Sequence, residues 1–327
     1  MELNDLSTII KNSFASSASF AVSLISPGFN KNSFASSASF AVSFRSQRFN
    51  KYFFALFAVL LTTGCRPQVP SNDILHTVEK NGSTFYILGS MHLGKGFVLS
   101  EEVKGIIESV DEVYYEIDMK EMMDPANTQK LMPLMMLPDG KTLEDLYPIE
   151  KIAVLRQKFN KAGVPWMIVE KQKPLFGAMT AIAMAGMKQG MQADKGTENL
   201  VYDYAKKFDK PSAGFETMEF QISLFDSVSY DMQYEIAVST LDQLDSLKGD
   251  LSELLAAFQS GDPNELEKFL KEDFGDGDAL FARVFLINRN RDWAKKIEEL
   301  SKNKKKYLVV VGAGHLVGTS NLIELLD

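Results

Sequence analysis

Residues 306–315 read KYLVVVGAGH: a lysine, an apolar run from Tyr307 to Val311, then Gly312-Ala313-Gly314-His315. A continuous apolar run bounded by charge and glycine predicts a strand buried on both faces, which belongs inside a parallel sheet covered by helices. Glycine at the strand exit lets the backbone turn closely, so the next imidazole can swing over the sheet edge. Residues 87–92, ILGSMH, repeat the design. Two of the chain's three histidines thus follow a strand in the pattern Gly-x-x-His, at opposite ends of one domain.

Working outward from His92, Ile74–Glu79 and Thr84–Gly89 flank Asn81-Gly82 and predict a hairpin. Ser100, followed by Glu101 and Glu102, predicts an N-cap and a helix to about Val110, and Glu112–Ile117 (EVYYEI) a strand. Strand, helix, strand is the unit that sets strands parallel. Between Met119 and Gly190 the punctuating prolines predict several short helices. A helix near Glu198–Lys207, a strand at Ser212–Glu216, helices through 218–300 and a last helix from about Ser320 complete the reading. The fold class expected is α/β: a central mixed, mostly parallel sheet flanked by many helices.

Composition narrows the chemistry. The 327 residues carry 35 Lys and Arg against 43 Asp and Glu, a net charge of −8, which offers no basic field for nucleic acid. The single cysteine excludes an intramolecular disulfide framework and a Cys-rich zinc site, so any metal must use histidine and carboxylate. Residues 11–30 and 31–50 agree at 16 of 20 positions, too short a duplication for a solenoid. Residues 1–50 read as disordered or as the product of a start codon set too far upstream, the second being preferred. Residues 51–65 form a secretory signal: basic Arg45, Arg48 and Lys51, the apolar run Tyr52–Leu61, then Thr62-Thr63-Gly64-Cys65. Its end resembles a bacterial lipobox, with Cys65 the lipidated residue, although Thr62 stands where that pattern prefers Leu. An anchor that is never cut is the competing expectation. Residues 66–73 are then a tether and 74–327 an acidic domain, held in the bacterial cell envelope and facing the periplasm or exterior.

Two carboxylates occupy places equivalent to the histidines: Glu116 at the end of Glu112–Ile117, and Glu216 after Phe215. Four strands each deliver one metal-competent or acid/base group to a carboxyl end, where ligands bind in sheets of this class. Asp118 would join them if its strand continued. Two imidazoles with two carboxylates suit a divalent ion, Mn²⁺, Fe²⁺, Co²⁺ or Zn²⁺, leaving a glutamate as general base. Arg289 and Asn290 lie in a helical stretch, 281–300. There Arg289 could bind a substrate carboxylate or oxyanion, or pair with Glu116 or Glu216. His76, mid-strand without glycines, reads as a half-buried strand residue. The methionines clustered in 119–136 and 167–191 read as gap-fillers in helix packing, ahead of an adaptable groove for peptides.

GSMHLG (89–94), EVYYEID (112–118), the segment from Lys195 through GFETMEFQ (214–221), NRNRDWAKKI (288–297) and VVVGAGHLVGTSNLIELL (309–326) together resemble the TraB/GumN (TraB/PrgY/GumN) family. The animal Tiki metalloproteases are similar to it, and the erythromycin-esterase fold is a further likeness. The resemblance implies a helix-decorated mixed sheet and Mn²⁺- or Co²⁺-dependent peptide cleavage. It implicates His92, His315, Glu116 and Glu216 at a metal, Glu116, Glu216 and Arg289 in catalysis, and Arg289 and Asn290 in substrate binding. Asn288 departs from the acid often found there, and KGTE (195–198) lacks the expected Asp, so no role falls to Glu198. The expected function is a lipid-anchored, metal-dependent, peptidase-like hydrolase acting on a peptide or protein substrate in the envelope. The alternatives are an envelope protein that sequesters a peptide or haem-like ligand, and a metal-free His/Glu esterase.

Overall fold

The computed structural model describes residues 73–244, 255–274 and 283–327. The duplicated segment, the signal and Cys65 lie outside the described residues, as does nearly all of the 66–73 tether. Strands β1 (Leu75–Lys80) and β2 (Ser83–Ser90) form the expected hairpin, with Lys80 opposite Ser83. Asn81 (φ 52°) and Gly82 (φ 86°) make its two-residue turn, the positive pair that a tight hairpin requires.

Helix α1 (Glu101–Ser109) starts where Ser100 accepts a hydrogen bond from the Val103 amide, and leads into β3 (Glu112–Ile117). The chain then runs through short helices: α2 (Met119–Met123), α3 (Pro125–Met135), α4 (Ile149–Lys161), α5 (Trp166–Val169) and α6 (Pro174–Lys188). Helix α7 (Thr197–Lys206), β4 (Ser212–Glu216), α8 (Met218–Asp226), α9 (Tyr230–Gln243) and α10 (Pro263–Phe274) follow. A π-helical turn, Arg283–Ile287, opens directly into α11 (Asn288–Ser301), and β5 is Lys306–Gly312.

The sheet order is β1-β2-β5-β3-β4, with β1 antiparallel and the other four strands parallel. Because β5 enters between β2 and β3, the sheet carries the mixed, mostly parallel topology expected. Tyr307, Leu308, Val309, Val310 and Val311 are fully buried, as a central strand demands. Alternate residues divide between two cores. Phe85, Ile87, Tyr307, Val309 and Val311 pack with Trp293 and Ile297 of α11. Leu88, Val113, Tyr115, Leu308 and Val310 pack with Val103 and Ile107 of α1 and Val201 of α7.

Two expectations are corrected. Ser320 does not open a helix: Gly318 and Ser320 have φ of 77° and 56°, and residues 318–326 form successive turns. Side chains tie these turns to the backbone, Glu324 accepting from the Ser320 amide and Asn321 from the Glu324 amide. Asp118 does not continue its strand either. It caps α2 by accepting from the Lys120 amide and takes the Ser212 hydroxyl hydrogen bond at 3.0 Å. The methionines divide: Met119, Met135, Met179 and Met191 are buried in three separate clusters, as gap-filling requires, whereas Met123, Met132, Met167 and Met187 are exposed.

Two glycines control how closely the start of α7 approaches the chain around His92. A Cβ on Gly94 would lie 1.7 Å from the Lys195 carbonyl oxygen, and one on Gly196 would lie 2.1 Å from the His92 carbonyl oxygen. Gly105, exposed in α1, has nothing within 4 Å. Gly196→Ala should therefore destabilise the protein by about 1–3 kcal/mol. Gly105→Ala should stabilise it by about 0.5–1 kcal/mol. Urea unfolding of the two variants beside wild type checks both signs.

Candidate functional site

The four parallel strands end side by side, and their exits carry the titratable residues. Arg289, on the first turn of α11, is the hub. Its Nη2 donates to Glu116 Oε2 at 2.6 Å and to Glu216 Oε2 at 2.8 Å, and its Nε to both oxygens of Glu216 at 3.1 and 3.0 Å. Nη1 donates back to the Phe285 carbonyl at 3.1 Å, closing the π-helical turn, and lies 3.2 Å from His315 Nε2. The side chains of Glu116, Glu216 and Arg289 are all more than nine-tenths buried.

The glutamates are otherwise saturated. Glu116 Oε1 accepts from the Gly312 amide at 2.7 Å, so the first glycine of the second Gly-x-x-His fixes a carboxylate as well as the chain's turn. Glu216 Oε1 accepts from Trp293 Nε1 at 2.9 Å, and Gln221 Nε2 bridges Glu216 at 2.9 Å and Glu116 at 3.2 Å. Burial opposes the charge on Glu116, but Arg289, with His315, His92 and the Gly312 amide, outweighs it and holds the carboxyl far below its ordinary range. Burial likewise opposes the charge on Arg289, and Glu116 and Glu216 overcome it, pushing the guanidinium further up.

His315 is fully buried against Trp293, ring centroids 4.4 Å apart. Its Nδ1 is 2.6 Å from Asn290 Oδ1, while Asn290 Nδ2 donates to the Ser320 carbonyl at 3.1 Å and the His315 carbonyl at 3.4 Å. An arginine can only donate, so Nε2 must be the acceptor and Nδ1 carries the hydrogen toward Asn290. His315 is therefore the neutral, Nε2-open tautomer. Burial takes its pKa down to about 3; Glu116 opposes that, and Arg289 and His92 reinforce it.

His92 is built alike with a different partner. Its Nδ1 pairs with Glu198 Oε1, which also accepts the Ser90 hydroxyl. Burial lowers its pKa, Glu198 raises it by charge and hydrogen bond, Glu116 adds to the rise and Arg289 opposes it; the balance is upward. Nε2 of His92 and Oε2 of Glu198 are buried without a hydrogen-bond partner. Glu198 is the residue to which sequence assigned no role. Only the approach of α7, where the Thr197 amide donates to the Met91 carbonyl at 2.9 Å and Thr197 Oγ1 accepts from the Met91 amide at 3.2 Å, reveals its place. Position 198 as the second residue of a helix beginning beside a Gly-x-x-His was the available signal.

Glu116, Glu216, Arg289, Asn290 and His315 thus touch directly, whereas His92 touches Glu198 and meets Glu116 and Arg289 through their charges alone. His76 stands apart on β1, half-buried, its pKa lowered by burial. Among the described residues no three His, Cys, Asp or Glu side chains are grouped to hold a metal ion. Glu216 has no free lone pair facing a ligand, because arginine, tryptophan and glutamine occupy it. The donor chemistry around His92 fits a cation better. Its Nε2 and Glu198 Oε2 are buried and orphaned, and Glu198 meets, among the described residues, no guanidinium of the kind that neutralises Glu116 and Glu216.

These features define the class: an α/β protein that gathers its buried acid, base and guanidinium groups at the carboxyl edge of a mostly parallel sheet. The chain belongs to the TraB/PrgY/gumN family, whose model matches residues 74–327. It is similar to metalloprotease TIKI1 of Danio rerio, 22% identical over 81% of this chain and 64% of that protein. Metalloprotease TIKI2 of the same fish is 22% identical over 79% of this chain and 60% of its own length. The uncharacterized protein YbaP of Escherichia coli is 24% identical over 74% and 87% respectively. The chain spans slightly under two thirds of the length of the Tiki proteins. No solved structure matches.

Arg289→Met should strand two buried carboxylates and cost about 3–5 kcal/mol, read by urea unfolding. Arg289→Lys should recover little of it, because an ammonium cannot bridge both carboxylates as the planar fork does. Stability should also fall on both sides of neutrality. Below pH 6.5 the unfolded chain takes a proton at His315 that the folded chain refuses until about pH 3, and Glu116 adds a loss below pH 4.5. Above pH 6.5 the contribution of His92 disappears as pH rises through its raised folded value. His315→Gln should flatten the acid limb between pH 6.5 and 4.5, measured as unfolding free energy against pH.

Proposed function

We propose that this protein is a hydrolase, peptidase-like in substrate, bound to a membrane of the cell envelope through a lipid on Cys65. One observation carries the catalytic part. His92 has Nδ1 tied to Glu198 Oε1 and Nε2 buried without a partner, which makes Nε2 the working atom, whereas the Nε2 of His315 is occupied by Arg289. A carboxylate or amide oxygen behind an imidazole sets its tautomer and raises its basicity, whether the ring serves as base or ligand. The similarity to proteins named metalloproteases supports the same reaction class.

In this reading His92, its Nδ1 held by Glu198, offers Nε2 to a divalent ion or, in the version without one, to the proton of an attacking water, which it returns to the leaving group. Arg289 and the Gly312 turn keep Glu116 ionised beside it. His92 and Glu198 would hold a divalent ion, with Mn²⁺ or Co²⁺ favoured and Fe²⁺ or Zn²⁺ compatible with the same nitrogen and oxygen donors. Such an ion would acidify water and polarise the scissile carbonyl. The unpartnered Nε2 of His92 equally suits a second version in which no metal takes part, with His92 alone as base and acid and Arg289 acting only to position Glu116 and Glu216.

The test is turnover of a fluorogenic peptide library by the mature protein, with Mn²⁺ or Co²⁺ and with chelator. The leading version predicts metal-dependent cleavage that His92→Ala lowers by about 100-fold or more and Glu198→Ala lowers comparably. Turnover indifferent to chelator selects the metal-free version. A folded protein that binds no divalent ion and cleaves no peptide or ester, with His92→Ala changing nothing, ends the proposal.

A further inference from the structure

The working atom of His92 is closed off: its Nε2 is buried without a partner, and the residue as a whole is 9% exposed. A nitrogen that neither water nor peptide can reach does nothing until a neighbour moves. The chain that follows His92 packs under a helical turn at residues 255–259. Leu255 of that turn packs with Leu93, Ala183 and Met191. Phe258, three residues on and so on the same helical face, meets Phe97 with ring centroids 5.4 Å apart. Phe258 also packs against the core cluster that holds Ala313 and Leu316 of the second histidine turn.

The two sides of this contact are held differently. Leu93, Ala183 and Met191 are buried, and backbone bonds fix the floor they form. Gly94 and Gln192 exchange amide-to-carbonyl bonds at 3.1 and 3.0 Å, and the Met191 amide donates to the Gly186 carbonyl at 3.0 Å. A Cβ built on Gly186 would lie 3.3 Å from Leu93 Cδ1, so α6 meets this floor closely. Residues 255–268 meet the body with the side chains of Leu255, Phe258 and Leu266. Leu255 and Phe258 are half-buried, and Leu266 is the buried residue among 255–268. The side chains of Ser260, Asp262 and Asn264 bond within their own segment. An element held by a few apolar contacts opens at lower cost than one tied in by backbone bonds.

A floor of isobutyl, phenyl, methyl and thioether groups suits a large apolar side chain, and it already holds two of the chain's own. Resting on the hydrolase reading above, we propose that Leu93, Phe97, Ala183 and Met191 form the subsite for a large apolar side chain of the substrate, and that Leu255 and Phe258 fill it as a plug until a substrate displaces them. A peptide seated there lies beside His92, because Leu93 is the next residue in the chain. Displacing the plug and uncovering Nε2 are then one event, which couples recognition of an apolar side chain to access to the imidazole.

The first readout needs neither a variant nor turnover. Hydrogen exchange of the full chain is followed by mass spectrometry with a blocked peptide, Ala-Ala-Phe-Ala-Ala, and with the same peptide carrying Ser at its centre. The Phe peptide should speed exchange in 255–260 by about threefold or more and slow it in 93–97, while the Ser peptide does neither. The second readout is carbethoxylation of histidines by diethyl pyrocarbonate. Leu255→Ala with Phe258→Ala should raise the rate at His92 by about tenfold and leave His315, held by Arg289 and Asn290, unchanged. Phe258→Leu, which keeps most of the apolar contact, should stay near wild type. If the double variant unfolds, His315 reacts as fast as His92, and Phe258→Ala alone takes its place with a smaller rise at His92. Exchange in 255–260 that the Phe peptide leaves unchanged or slows, or a folded plug variant whose His92 reacts at the wild-type rate, overturns the proposal. Turnover separates it from the hydrolase reading. Cleavage with no preference for a large apolar residue refutes the subsite and spares the activity, whereas both readouts as expected without cleavage refute the activity and spare the subsite.

Discussion

The buried guanidinium of Arg289 between Glu116 and Glu216 is the contact on which the rest of the site depends. It joins α11 to the ends of β3 and β4, and through Glu116 and the Gly312 amide to the end of β5. A buried ion pair is a poor source of stability, because desolvation offsets most of the attraction. Its worth here is geometric. Five donors in a rigid plane meet two carboxylates, a carbonyl and an imidazole at once, which leaves the strand ends one arrangement. The π-helical turn before α11 belongs to the same device, since the Phe285 carbonyl it presents receives Nη1. Such turns recur at functional sites because they re-aim side chains a regular helix would point elsewhere.

Around that cluster two histidines of the same local design are driven apart in chemistry. His315 has an amide oxygen behind it, a guanidinium before it and no exposed surface, and it is neutral. His92 has a carboxylate behind it and no partner before it, and it holds a proton more readily than a free imidazole. Titratable groups separated in this way are how one site supplies an acid and a base near neutral pH. They also lie on opposite faces of the sheet edge. Glu198 arrives on α7, which packs with α1, whereas Arg289 and Asn290 arrive on α11.

Much of this was legible in the chain. The Asn81-Gly82 hairpin, Glu112–Ile117, Ser212–Glu216 and the central run from Lys306 follow from local rules, because turn chemistry and apolar runs act within a few residues. The convergence of Glu116, Glu216 and His315 followed from each ending a strand, once those strands lay parallel. The last turns escaped prediction because side-chain bonds from Asn321 and Glu324 override helix propensity, and Asp118 because its carboxylate caps a helix.

By itself the sequence determined the strands, the two glycine-guided turns and the identity of the charged groups, since each is written in adjacent residues. Only the tertiary structure decided their partners. Position 289 is 173 residues from Glu116 and 73 from Glu216, and no local rule says whether a guanidinium meets a substrate or a neighbouring carboxylate. Glu198 reaches His92 because two glycines let one backbone approach another within the space of a methyl group, a constraint that exists only between segments already folded together.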